Sequence, residues 1–262
     1  MTPDELAALT HRPGPGEHRT TVEIDGVATA TLADLPPLRD HLLFIGLNPS
    51  PVSVEAGHYH QGRLGRTFWR RLMLASVVPP ATQVETADDA LVEAGHGITD
   101  LLKDPTARDE ATDGQLRAGV GPLWQKVAIW RPEAIVFVYK RAAVACAGRP
   151  LAESWGHLPD VALAGRPCFL MPGPYAPTEQ VDEGLNFLRN LTAALPRDRA
   201  LDGFGVVRAD LHWVGLGREP KPERRQQGEP ETGEHGGDQL VELEHDGDLR
   251  LGWANDPQRD VE

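Results

Sequence analysis

The sequence predicts an α/β protein, a short central parallel sheet covered by helices on both faces, and three observations carry that expectation. Three continuous apolar runs of strand length, LLFIGLN (residues 42–48), AIVFVYK (134–140) and PCFLMPG (167–173), have the pattern of strands buried on both faces. Helical patterns separate them. Strands alternating with helices imply parallel pairing, because parallel neighbours need a crossover and the crossover is usually a helix.

Taken in order, residues 1–20 carry Pro, Gly and His with no apolar period and are expected to be mobile. TTVEIDGVATATL (20–32) alternates about an Asp-Gly pair, the signature of a tight hairpin turn. After the first buried run, helices are expected at TFWRRLMLASVV from Thr67, at TADDALVEAG with Thr86 as N-cap, and at QLRAGVGPLWQKVAIW from Gln115. TEQVDEGLNFLRNLTAAL, capped at Thr178, closes the domain near Pro196. These boundaries give an N-terminal extension over 1–40, a main domain over 41–198 and a tail over 199–262. The tail contains GREPKPERRQQGEPETGEHGGDQ, too polar to bury a core, flanked by two alternating stretches that read as a small β element.

Composition narrows the function. Two cysteines, Cys146 and Cys168, exclude a four-cysteine metal site and read as buried thiols. His212, His235 and His245 lack ligand spacing, so no metal site is expected on them. No apolar stretch reaches the roughly 18 residues of a membrane span, and the acidic, polar start is unlike a secretion signal, so a soluble, cytoplasmic protein is expected. The net charge of −13 argues against nucleic acid as a partner until it is apportioned. From Leu201 onward there are 15 acids against 7 bases, and the first 200 residues hold 24 against 19. Most of the deficit is in the tail, an acidic segment suited to a protein partner or to competing with an anionic ligand for the basic face.

In such sheets ligands bind beyond the carboxyl ends of the strands. GLNPSP (46–51) lies there: Gly46 lets backbone approach a ligand, Asn48 offers a donor and an acceptor, and Pro49 and Pro51 stiffen the loop. Alone, this is equally a strand-to-loop turn with an Asx hydrogen bond. Downstream come GHYHQGRLGRTFWRRL (57–72), HGITDLLKDPTARDEATD (96–113), IVFVYKRAAVACAG (135–148) and MPGPYAP (171–177). In this order the blocks resemble the mismatch-specific uracil/thymine DNA glycosylases of the uracil-DNA glycosylase superfamily, over roughly residues 42–195.

That resemblance implies a three-layer α/β/α fold and hydrolysis of the N-glycosidic bond of uracil, thymine or a related damaged base in mismatched duplex DNA, by a monofunctional enzyme without cofactor. It implies that Asn48 positions the attacking water, that Gly46, Leu47 and Ser50 line the substrate side of the loop, and that Tyr59 stacks on the flipped base. Asp100, at a position where the family carries a lysine or an acid, becomes a candidate general base; the competing reading is an N-cap ahead of LLKD. Gly173, Pro174 and Tyr175 take the place of the loop that enters DNA, with tyrosine where the family often has a leucine wedge. Arg63 and Arg66, on a glycine-rich loop before the helix, are candidate phosphate contacts, and adjacent Arg70 and Arg71 cannot share one phosphate. The expected partner is double-stranded DNA with a damaged or mispaired base, bound by a monomer. A non-catalytic lesion-binding protein of the same fold, and an unrelated α/β domain in which GLNPSP is a turn, are the competing readings.

Overall fold

The structure, a computed structural model, describes residues 2–106 and 110–195, and the backbone alone for residues 3–5. The expected tail element and the cap of the domain at Pro196 lie outside the described residues.

The expected hairpin is present as β1 (Arg19–Ile24) and β2 (Val27–Leu32), turning at Asp25 and Gly26 with φ of 51° and 78°. The three apolar runs form β3 (Leu42–Gly46), β5 (Ala134–Phe137) and β7 (Arg166–Leu170), mutually parallel in the order β3-β5-β7. Two further strands complete a five-stranded sheet. β4 (Gly97–Asp100) pairs parallel with the outer side of β3, and β6 (Gly156–Leu163) pairs antiparallel with β7, so the sheet is mixed rather than purely parallel.

Alternate residues of the buried strands feed two cores. Leu42, Phe44, Val136 and Phe169 face α3 (Arg63–Leu74), α4 (Ala87–Glu93) and α7 (Thr178–Ala194) through Phe68, Trp69, Leu72, Leu91 and Leu188. Leu43, Ile45, Ile135 and Phe137 face α5 (Asp113–Trp130) and α6 (Lys140–Ala147) through Leu123, Val127, Ala142 and Ala143. Apolar burial on both faces explains why these strands lack a polar alternation. The short α2 (Pro51–Ala56) follows β3 directly.

Several local expectations are corrected. Residues 3–10 form a helix, α1 (Pro3–Thr10), and the segment after it is tied down: Trp130 Nε1 donates to the Leu9 carbonyl (2.6 Å), and the Arg12 guanidinium donates to the carbonyls of Pro36, Val92 and Gly95. The N-terminal extension therefore belongs to the main body, with Leu32 and Leu35 fully buried and Leu35 bridging Ile98. Neither Thr86 nor Thr178 makes a side-chain cap; α4 is entered from a 3₁₀ turn over Val84–Thr86, and Pro177 precedes α7. Thr112 makes the true capping box, with Gln115 at the start of α5. Helix α3 starts at Arg63, a turn earlier than expected, so Arg63 and Arg66 lie in its first turn and not on a preceding loop. Cys168 is buried as expected, whereas Cys146 is only half-buried; both are free thiols. Among the described residues no helix is long and apolar enough to cross a membrane.

Candidate functional site

The site is built where β3 and β4 end side by side. Their register pairs Gly46 with Asp100, and the pairing continues one step beyond the strands, since Leu101 N donates to the Gly46 carbonyl (3.1 Å) and Leu102 N to that of Leu47 (2.9 Å). Asn48 and the 101–106 segment are thereby held side by side. The Asn48 amide nitrogen donates to Thr106 Oγ1 (2.7 Å) and to the carbonyls of Asp104 and Pro49 (both 3.3 Å). Carbonyls can only accept, so this end of the side chain must be the NH₂ group. The opposite end, Oδ1, makes no hydrogen bond within the described residues and stands on a half-buried side chain, available as an acceptor.

Asp100 is the last residue of β4 and is 2% exposed. No helix follows it, and neither carboxylate oxygen has a hydrogen-bond partner among the described residues, so the capping alternative fails. Its environment is unfavourable to charge. Burial, only partly offset by Lys103 and Lys126 and reinforced by the negative Asp34, pushes its pKa up to about 7. A buried carboxylate with nothing to bind is costly to maintain, which makes the position a candidate site.

Gly46 makes room for it. A Cβ there would stand 2.0 Å from Asp100 Oδ1 and 3.7 Å from His60 Cε1, so the carboxylate and the imidazole flank a bare backbone. His60 holds a left-handed φ of 55° in the loop between α2 and α3, and Gly65 allows α3 to pass against its carbonyl, where a Cβ would lie 2.0 Å from the oxygen. The imidazole packs on Phe68 (centroids 4.5 Å) and lies 6.2 Å from the Tyr139 ring; its Nε2 is buried without a partner, and burial lowers its pKa to about 4.

Tyr59, expected to be the stacking aromatic, is a core residue instead. It is 1% exposed, its hydroxyl donates to the Ala33 carbonyl (2.8 Å), and its own carbonyl accepts from Trp69 Nε1 (2.9 Å). No ring face is open to a ligand. The adjacent His60 is partly buried, its ring set against Phe68 and Tyr139, and nothing in the sequence distinguishes the two rings of the Tyr-His pair. Ser50 is likewise committed: it caps α2, accepting from Ser53 N (3.2 Å) and donating to Ser53 Oγ (2.9 Å). Leu47 is buried in the core shared with α5 and α6, and reaches the site only through its backbone.

Beneath Asp100 lies an ion cluster that the sequence reading missed, because its members come from distant segments. Asp34 accepts from Lys103 and Lys126 (2.7 Å each) and from Thr99 Oγ1. Against the burial that would raise it, the two ammonium groups hold the Asp34 carboxyl well below the usual carboxylate range. Lys103 also donates to the Leu32 carbonyl (3.0 Å) and to Tyr59 Oη (3.4 Å), leaving it braced and charge-paired. Replacing Asp34 with Asn leaves two largely buried ammonium groups uncompensated and is expected to cost about 3 kcal/mol at neutral pH. Urea unfolding checks this. Because the Asp34 pKa is depressed on folding, the difference from wild type should persist above the unfolded carboxylate pKa and shrink as the pH falls below it.

A cleft lies between α3 and the segments after β5 and β7, lined by Leu64, Phe68 and Arg71 of α3, by Val138 and Tyr139, and by Pro172 and Pro174. Arg71, half-buried, donates to the carbonyls of Pro172 (2.8 Å) and Gly173 (3.2 Å) and so fixes the 171–177 loop on α3. From that loop Gly173 and Pro174 are exposed, and Tyr175 projects with 81% of its surface free. Arg63, Arg66 and Arg70 are exposed on α3 beside the cleft. No family model and no curated protein matches this sequence.

Proposed function

We propose that the chain is a monofunctional DNA glycosylase that hydrolyses the N-glycosidic bond of uracil, or of a related damaged or mispaired base, in duplex DNA, within a uracil-DNA glycosylase-like fold. One observation carries the reading: an asparagine amide locked by its NH₂ end, two residues past the Gly46 that pairs with a buried, unpaired carboxylate, both at the carboxyl edge of adjacent parallel strands.

The chemistry follows from those two groups. Cleavage leaves the glycosidic electron pair on the departing base and an oxocarbenium-like sugar, which water attacks at the anomeric carbon. Asn48 Oδ1 accepts one hydrogen of that water and aims its oxygen, but an amide cannot take the proton at neutral pH. Asp100 takes it, and in its ionised form also stabilises the cationic sugar. The flipped base lies against His60 and over Gly46, where the absent side chain permits close approach. Lys103 is spent on Asp34, which fits hydrolysis by water rather than an amine nucleophile and a lyase step.

Extrusion of a base from the duplex costs a few kcal/mol and least at a mispair, so a guanine–uracil pair should be cut faster than adenine–uracil. Tyr175, held out by a proline-rich loop, is suited to fill the vacated stack. Tyr175→Ala should lower excision from duplex DNA by about tenfold, within the roughly 1–3 kcal/mol of base–aromatic stacking, and leave single-stranded substrate nearly unaffected. Equal losses on both substrates would remove that role. The function itself is tested by incubating the purified chain with duplexes carrying uracil opposite guanine, uracil opposite adenine and thymine opposite guanine. The expected outcome is free base and an alkali-labile abasic site, fastest at guanine–uracil. Tight, lesion-selective binding without base release would favour the lesion-binding alternative, and neither binding nor release would reject the assignment.

A further inference from the structure

We infer that His18, His58, Asp88 and Asp89 form a structural binding site for one divalent cation of the zinc type, separate from the pocket at Asn48 and Asp100. One donor atom from each of these residues falls in a group whose members all lie within 4.8 Å of one another. Four donors at zinc–nitrogen and zinc–oxygen distances of about 2.0–2.2 Å stand at most about 4.4 Å apart. In a tetrahedral arrangement neighbouring donors stand about 3.3–3.6 Å apart, so the widest-spaced pair closes by about an ångström when the ion binds, a shift that side-chain rotation can supply.

Charge is the second argument. The Asp88 side chain is fully buried and that of Asp89 is 13% exposed, and within the described residues their only ion-pair partners are the two imidazoles. His18 Nε2 lies 2.9 Å from Asp89 Oδ1 and 4.0 Å from Asp88 Oδ2, and His58 Nδ1 lies 2.8 Å from Asp88 Oδ1. No lysine or arginine pairs with either carboxylate among those residues. Buried carboxylates require compensation, and one dication held by these four residues balances both anions. Backbone donors already orient the carboxylates, with Tyr59 N on Asp88 Oδ2 (2.7 Å) and Gly16 N on Asp89 Oδ1 (3.1 Å), as supporting bonds around a metal site do. His18, 1% exposed, has no partner at Nδ1, so its ring is tethered only through the nitrogen that faces the carboxylates.

Two nitrogen and two carboxylate donors in a closed, buried setting suit a four-coordinate zinc ion without an open position for substrate. The ligands come from the segment before β1, the loop after α2 and the first turn of α4. The ion would clamp these three together directly behind Tyr59 and His60.

The test uses the full chain, stripped with chelator, reloaded with zinc and desalted. One zinc per chain should survive desalting, and the melting temperature should rise by about 5–15 °C over the stripped protein. Cobalt(II) in its place should give the visible absorption of a tetrahedral site. His58→Gln and Asp89→Asn, both at the rim, should each lose the bound ion and the melting shift while keeping the far-ultraviolet circular dichroism of the stripped wild type. X-ray absorption on zinc-loaded wild type should find two imidazole and two oxygen donors, a readout that stands even if both variants fail to fold. No retained zinc overturns the inference. So does zinc that both folded variants still retain, or a coordination shell without two imidazoles, since the ion would then be held elsewhere in the chain.

Discussion

Asp100→Asn is expected to lower the single-turnover rate of base release by about 10²- to 10⁴-fold at pH 8, the range general-base catalysis supplies. The size follows from the division of labour at the site: Asn48 can aim a water and Asp100 can accept its proton. The pH dependence gives a sharper result. The groups around Asp100 are Lys103, Lys126 and Asp34 beneath it, with His60 across Gly46 and Tyr59 and Tyr139 nearby, and their balance with burial brings its pKa up to about 7. Wild-type kcat/KM should therefore rise with pH through about 7 and level off, as the carboxylate becomes ionised, and the variant should lose that step. Stability should move the other way. The folded state retains this proton at pH values where the unfolded chain, with a carboxyl near 3.8, has released it, so Asp100 favours folding in acid and that contribution is lost between about pH 4 and 7. It amounts to roughly 3–4 kcal/mol at most. The melting temperature of Asp100→Asn relative to wild type should accordingly improve from pH 5 to pH 8. A rate unchanged by the substitution would remove Asp100 from the chemistry.

Gly46→Ala should be nearly as damaging to activity and, unlike Asp100→Asn, destabilising. The added carbon would stand 2.0 Å from Asp100 Oδ1, inside any permitted contact, and a tight 3.2 Å from its Cγ. Neither strand can yield easily, because β3 is paired on both sides and its residues face two cores. The carboxylate must leave its position or the strands must part. Loss of about 1–3 kcal/mol in stability is expected from such overpacking, together with a fall in base release of at least 10²-fold. A double-mutant cycle identifies the cause. Removing the opposing side chain in Gly46→Ala/Asp100→Ala should recover most of the stability lost by Gly46→Ala without recovering activity, giving strongly non-additive effects. Additive losses would mean that the methyl group acts on something other than Asp100.

The parts of this fold visible in the sequence are those whose physics is local. LLFIGLN, AIVFVYK and PCFLMPG stand out because strands covered on both faces have no polar alternation. The Asp-Gly hairpin stands out because its turn demands two positive φ angles. β4 did not, since GITD is four residues long and ends in two polar ones, although all four are buried. β6 contains Pro159 and exposes half of its residues at the sheet edge, so it resembles a loop. Helix α1 is tied through the Leu9 carbonyl to Trp130, a distant partner that no local pattern reveals.

The site divides in the same way. Asn48 at the end of a buried strand was legible, because strand ends in such sheets meet ligands. The state of Asp100 was not: cap and unpaired carboxylate differ only by its register against Gly46 and by the absence of a following helix. The burial of Tyr59 was not legible either, since the contacts that enclose it, to the Ala33 carbonyl and Trp69 Nε1, come from distant segments. The ion cluster at Asp34 joins positions 34, 99, 103 and 126, and its logic exists only in three dimensions.

The most direct test of the central claim is single-turnover base release from a guanine–uracil duplex by the wild-type chain and by Asn48→Ala, at saturating protein. Asn48 makes its contacts through the NH₂ end to the 104–106 loop and leaves Oδ1 for water, so the account predicts release by wild type, a loss of at least about 10²-fold in the variant, and similar DNA affinity for both. Release at equal rates by the two proteins, or none by wild type, would contradict it.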